Sequence, residues 1–220
     1  MKRECKQPAA GRAAPLRCQP DWPGARRGPS VEKLSYLATF ISLIYGLGVA
    51  NLLAQIASLI KRGREADWYW IHTLWCIYLL LLMASFWWTL QSWDEVPHIG
   101  YLRYLSLLLC PSILFIASDV LFPERTAHGS VDLRTHFLAV KDRLFLLMIA
   151  LALADVLDSA LKGWRHLVEL GPVYLVTQVY WVTVSIVGIR TRSERTLGVL
   201  ACMALLALLV SLSLLVVGNA

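Results

Sequence analysis

WYWIHTLWCIYLLLLMASFWW, residues 68–88, opens on Trp68, Tyr69 and Trp70 and closes on Trp87 and Trp88, with Trp93 just beyond. Between the two aromatic clusters runs an almost unbroken apolar stretch. Indole rings settle at the headgroup boundary, where the ring is half apolar and the N–H finds a partner. Two such clusters set about one bilayer thickness apart mark the two interfaces of one membrane-spanning helix.

From Leu34 onward similar apolar runs recur. They predict helices at about 36–60, 68–91, 101–122, 143–161, 171–189 and 197–218. A helix needs roughly 20 apolar residues to cross ~30 Å of hydrocarbon. Unpaired backbone groups are not tolerated in lipid, so helices are the spanning form for runs of this length. Barrel strands would be about half as long and would alternate in polarity. The fold class is therefore all-α: a polytopic transmembrane bundle of six spans in the cell inner membrane. The segment 143–161 is the weakest of the six because it carries Asp155 and Asp158.

Composition agrees. In 220 residues, 57% are hydrophobic and 16% charged, against roughly a quarter charged in soluble proteins. Too few charges exist to coat a water-soluble fold, and lipid removes the need. The net charge of +6 lies in the N-terminal tail and between apolar runs, so nucleic acid is excluded as a partner and the bilayer takes its place. Residues 1–33 form a basic Pro/Gly/Arg-rich tail without apolar periodicity, expected to be disordered, or to reflect translation starting near Val31. They lack the h-region of a secretory signal.

Loop charges set the orientation. Lys61, Arg62 and Arg64 follow the first helix, Arg125, Arg134, Lys141 and Arg143 the third, and Arg190, Arg192 and Arg195 the fifth. The other side offers Asp94, Glu95, Arg103, Lys162 and Arg165. The positive-inside rule places the odd loops in the cytoplasm and both termini outside. Arg26, Arg27 and Lys33 pull the other way. Leu133, Phe137 and Val140, interleaved with Arg134, His136 and Lys141, predict an amphipathic turn or two lying along the cytoplasmic interface before helix 4.

Ser42, Gly46, Ala50, Ala54 and Ser58 recur at every fourth position of helix 1. Such a face lets helix backbones approach closely. It serves packing against a neighbour within the chain or, alternatively, a contact between subunits of a homo-oligomer. Beside it lie Asn51 and Gln55, which with His72 and Asp119 compose one candidate polar path. Its plainer alternative is a set of hydrogen bonds that fixes packing. Asp155 and Asp158, with Gln178 at comparable depth, compose a second candidate, a cation or proton site, against which stands a helix end emerging early with Asp158 paired to Lys162. Ionisable groups in a span are costly and face the bundle interior or water. Pro111, after Cys110, is expected to kink helix 3.

Other chemistries find no support. Cys5, Cys18, Cys76, Cys110 and Cys202 show neither C-x-x-C nor metal-ligand spacing, so no metal is expected. His72, His98, His136 and His166 do not sit as facing intrahelical pairs, so no haem or other cofactor is implied. Hydrolase, metalloprotease, Walker and Rossmann patterns are missing, and the chain is not expected to be an enzyme.

The stretch from Phe40 to Leu53, the run His72–Trp75 to Phe86–Trp88, and Leu121-Phe122-Pro123 resemble a group of small uncharacterised bacterial multi-pass membrane proteins, over roughly residues 34–150. More distantly, six spans with a small-residue first helix and an aromatic-ended second are similar to the bacterial TMEM-type potassium channels. Those carry Phe-Ser-Asp in their first helix, whereas Phe40-Ile41-Ser42-Leu43 has no acid. The resemblance implies a small channel- or transporter-like protein, the alternative being a scaffold that assembles through the helix-1 face.

Overall fold

In the computed structural model the described residues are 29–63, 66–89, 101–123 and 131–218. The apolar runs become six α-helices: α1 Pro29–Arg62, α2 Trp70–Thr89, α3 Tyr101–Val120, α4 Leu133–Lys162, α5 Trp164–Arg190 and α6 Glu194–Gly218. Two short strands, β1 Ala66–Asp67 and β2 Val131–Asp132, join them. The chain is an all-α, multi-pass helix bundle. Within each span window only 17–39% of residues are buried in protein. The remaining apolar surface would be a liability in water, and lipid accounts for it.

Among the described residues, five helices are long and apolar enough to cross a bilayer, over 39–62, 101–120, 133–162, 165–190 and 194–213. The expected count was six. The sixth helix, α2, is apolar throughout Trp70–Ser85, the part of it whose side chains are described. Trp68 and Trp70 are exposed at its first end. The side chains of Trp87 and Trp88, like Trp93 entirely, lie outside the described residues. The aspartate-bearing α4, expected to be the weakest span, meets the criterion with 30 residues.

The segment expected to lie along the interface is instead the first turns of α4. Asp132 caps it, its carboxylate accepting from the amides of Arg134 and Thr135 at 2.9 and 3.1 Å. The Thr135 hydroxyl, then its amide, hold the Asp132 carboxyl below its ordinary range, so the cap is present above that range and lost as pH falls through the lowered value. Leu133 and Phe137 are fully buried. Amphipathic spacing suits a protein-facing helix as well as an interfacial one, and packing decides between them.

Two prolines sit inside helices with different results. α3 runs continuously through buried Pro111. The break falls in α5, at Gly171 (φ 69°, ψ −177°) before Pro172. The residue before proline is pushed out of the helical region, and only glycine reaches that positive φ without strain.

The core is aromatic at its centre. Trp75 lies edge-on to Phe145 at 5.3 Å and to Tyr78 at 5.2 Å. α4 packs most extensively on α5 and α3, α1 on α3, and α2 on α6. A Cβ on Gly188 would stand 2.4 Å from the ring of the fully buried Phe145. Gly188→Ala is therefore expected to cost about 1–3 kcal/mol, the usual penalty for overfilling a packed core. The readout is an earlier thermal midpoint in detergent, and an unchanged midpoint would mean that the ring can swing aside.

One end of the bundle is tied across the helices. β1 and β2 pair in parallel, Ala66 opposite Val131 and Asp67 opposite Asp132. Arg134 forms a forked ion pair with Glu194 through Nε, at 3.1 and 3.2 Å, and Nη2. The Tyr69 hydroxyl donates to the same carboxylate at 3.4 Å. Burial first, and then the Glu194 charge, push Tyr69 up to about 12. Buried Lys141 donates to the carbonyls of Gly188 and Ile189 at 3.2 and 3.1 Å, satisfying the last turn of α5. The ends of α1 and α5 and the starts of α2, α4 and α6 thus share one face.

Candidate functional site

Asp155, Asp158, Ser159 and Lys162 occupy one stripe of α4, at the i, i+3, i+4, i+7 spacing of a single helix face. Tyr174, Gln178 and Trp181 make the matching stripe of α5. Because α4 and α5 are the most extensively packed pair, these stripes meet. Tyr174 Oη lies 2.9 Å from Asp155 Oδ2 and 3.0 Å from Ser159 Oγ. A phenol has one proton. The phenol donates that proton's hydrogen bond to the carboxylate, and Ser159 in turn donates to the phenol oxygen. Gln178 Nε2 donates to the same Asp155 Oδ2 at 2.6 Å. Asp155 is thereby fixed in place, with both donors on one oxygen.

One turn on, Asp158 Oδ2 lies 3.1 Å from Lys162 Nζ, and their side chains are 14% and 7% exposed. The expected pairing exists, but in the bundle interior rather than in solvent. Asp158 Oδ1 is buried with no hydrogen-bond partner among the described residues. The Asp158 side chain, 14% exposed and ion-paired, is thus held within the bundle.

A cavity of about 200 Å³ opens beside Asp155 between α2, α4 and α5. Tyr78, Ser85, Asp155, Gln178 and Trp181 line it, together with apolar side chains such as Met148. The Tyr78 and Trp181 rings stand 5.6 Å apart, tilted by 47°. Neither ring, nor Tyr174, nor Ser159 was singled out by the sequence. The signal was there as the Tyr174, Gln178, Trp181 spacing, but it becomes meaningful only once α5 is known to pair with α4.

The other candidate cluster comes together only in part. Asn51 Nδ2 donates to Ser118 Oγ at 3.2 Å and reaches Asp119 Oδ1 at 3.5 Å. Asp119 is exposed, at the end of α3 near the tied face. Gln55 is buried one turn further along α1. His72 joins neither: its Nε2 contacts the Leu121 carbonyl at 3.0 Å, its Nδ1 lies 3.6 Å from Cys76 Sγ, and its ring stacks edge-on to Phe122. It pins α2 to the end of α3. Among the described residues, no group of three or more His, Cys, Asp or Glu could hold a metal ion.

The small-residue stripe of α1 faces outward. Gly46, Ala50 and Ala54 are exposed, Ser42 and Ser58 half-buried, and a Cβ on Gly46 would meet nothing within 4 Å. Packing within the chain uses a different face of α1: Ile41, Tyr45, Gly48, Leu52, Gln55 and Leu59 are buried, and Gly48 touches Met83 and the Phe115 backbone.

No protein-family model, curated protein or solved structure matches this chain. Its likeness to known membrane proteins stands at the level of an all-helical, multi-span bundle.

Proposed function

We propose that the chain is a non-enzymatic, six-span protein of the channel or transporter kind, in which Asp155 meets the moving cation or proton. The carrying observation is Asp155 at the wall of the α2–α4–α5 cavity, oriented by Tyr174 and Gln178. An acid at that depth is costly, and such acids mark ion and proton paths. For the sixth span, α2 has 20 residues, a rise of about 30 Å. The basic residues Lys61, Arg62, Arg134, Lys141, Arg190 and Arg195 gather towards the tied face, which supports a cytoplasmic location for it, with both termini outside the inner membrane. The test is cation and proton flux into proteoliposomes: Asp155→Asn is expected to lower it roughly tenfold or more, and wild-type flux from that variant would remove the proposal.

The outward stripe of α1 favours a second reading, assembly of copies through that face. Open space over Gly46 is what a close helix–helix contact in lipid uses. Gly46→Leu is expected to shift an oligomer to monomer in crosslinking without loss of the folded monomer. An unchanged oligomeric state would exclude this face as the contact.

A further inference from the structure

We propose that the α2–α4–α5 cavity binds a small organic monocation, an ammonium carrying an apolar body, with Asp155 as counter-charge and the Tyr78 and Trp181 rings as its wall. The inference rests on the cation-handling role proposed for Asp155 and names the chemistry of what is handled.

Charge sets the sign of the ligand. Asp155 is the acid in the lining, and no Lys, Arg or His is among the described lining residues. Lys162 is paired with Asp158 at 3.1 Å. Both donors to Asp155 fall on Oδ2, which leaves Oδ1 to accept from a ligand. A carboxylate removed from water is balanced by a cation or neutralised by a proton.

Size and lining set the ligand's body. One water needs roughly 10–15 Å³ of such space, so a cavity of about 200 Å³ is far larger than a bare ion requires. A hard metal cation would also want oxygen ligands around it. Here the side-chain oxygens come from Asp155, Gln178, Ser85 and the Tyr78 phenol, and the rest of the wall is carbon, sulfur and aromatic ring: Leu82, Met148, Leu151, Ala152 and the Tyr78 and Trp181 rings. Tyr78 and Trp181 put two aromatic rings 5.6 Å apart in that lining; the quadrupole of an aromatic face attracts an ammonium and its area receives alkyl groups. Met148 adds a deformable thioether that fits ligands of irregular shape.

The full chain in lipid nanodiscs is titrated with choline and with 3,3-dimethylbutan-1-ol, which has the same shape without the charge. Tryptophan fluorescence and thermal midpoint are the readouts. Choline is expected to bind saturably, and the neutral analogue about tenfold more weakly or worse. Asp155→Asn is expected to lose about tenfold in choline affinity, and Trp181→Leu several-fold, with Trp181→Phe retaining more because it keeps a ring. Folding of each variant is checked by its elution profile, and the Trp181 pair carries the test if the Asp155 variant aggregates. Equal binding of the neutral analogue, or displacement of choline by sodium at equal concentration, would overturn the proposal. Asp155-dependent proton or sodium flux from a protein that never binds choline would overturn it while leaving the cation-handling role. Saturable, Asp155-dependent choline binding without flux would support it and remove the transport role.

Discussion

Lys162→Met is expected to destabilise the bundle by on the order of 3 kcal/mol, at the lower end of what removing one partner of a buried ion pair costs. Lys162 and Asp158 are 7% and 14% exposed, 3.1 Å apart, and Asp158 Oδ1 already lacks a hydrogen-bond partner among the described residues. Without the ammonium, the Asp158 carboxylate would face the bundle interior with a second acid, Asp155, on the same helix stripe. Methionine keeps most of the volume, so the loss is electrostatic rather than a cavity effect. Lysine in the last turn of α4 also complements the helix dipole, a smaller term. The double variant Lys162→Met, Asp158→Leu should recover most of the stability, because an ion pair replaced whole by apolar side chains is often neutral. Unfolding in mixed micelles measures both. A single variant as stable as the wild type would show that water reaches the pair and screens it.

How far the sequence could foresee this arrangement differs from element to element. The helical form of Trp70–Thr89 was legible because lipid permits few alternatives to a run of that apolarity. Its far aromatic end, Trp87 and Trp88, lies outside the described side chains. The start of α4 was ambiguous for a physical reason: Leu133, Phe137 and Val140 make a stripe that could face lipid or protein. The contact between Phe137 and Tyr69, with ring centroids 5.8 Å apart, and the β1–β2 bridge settle it for protein. The direction of the α1 faces was equally hidden. Small and bulky stripes share one period, and only the position of α3 determines which is buried. Of the Asp155 site, the acid and Gln178 could be foreseen from depth, whereas Tyr174, Ser159, Tyr78 and Trp181 depend on which helices adjoin. The break at Gly171 rather than Pro111 follows from glycine supplying a dihedral that Cys110, the residue before Pro111, does not reach without strain.

Asp155→Asn is expected to reduce cation or proton flux by roughly tenfold or more while leaving the fold intact. The geometry makes this substitution unusually clean. Tyr174 at 2.9 Å and Gln178 at 2.6 Å both address Oδ2, so the single carbonyl oxygen of asparagine can accept both bonds. Its amide then occupies the position of Oδ1. What is lost is charge, together with the ability to take up and release a proton. Contacts to a charged group are worth ~1.5–3 kcal/mol, and each 1.4 kcal/mol is about tenfold. Tyr174→Phe provides the contrast, keeping the charge but removing one donor that orients it. It should slow flux several-fold without abolishing it, the pattern of a positioning residue. If both variants lower flux equally, Asp155 acts through its hydrogen bonds to Tyr174 and Gln178 rather than through its charge, and the α4–α5 contact is structural. If Asp155→Asn transports like the wild type, neither a proton nor a cation depends on that carboxylate, and the cavity serves something uncharged.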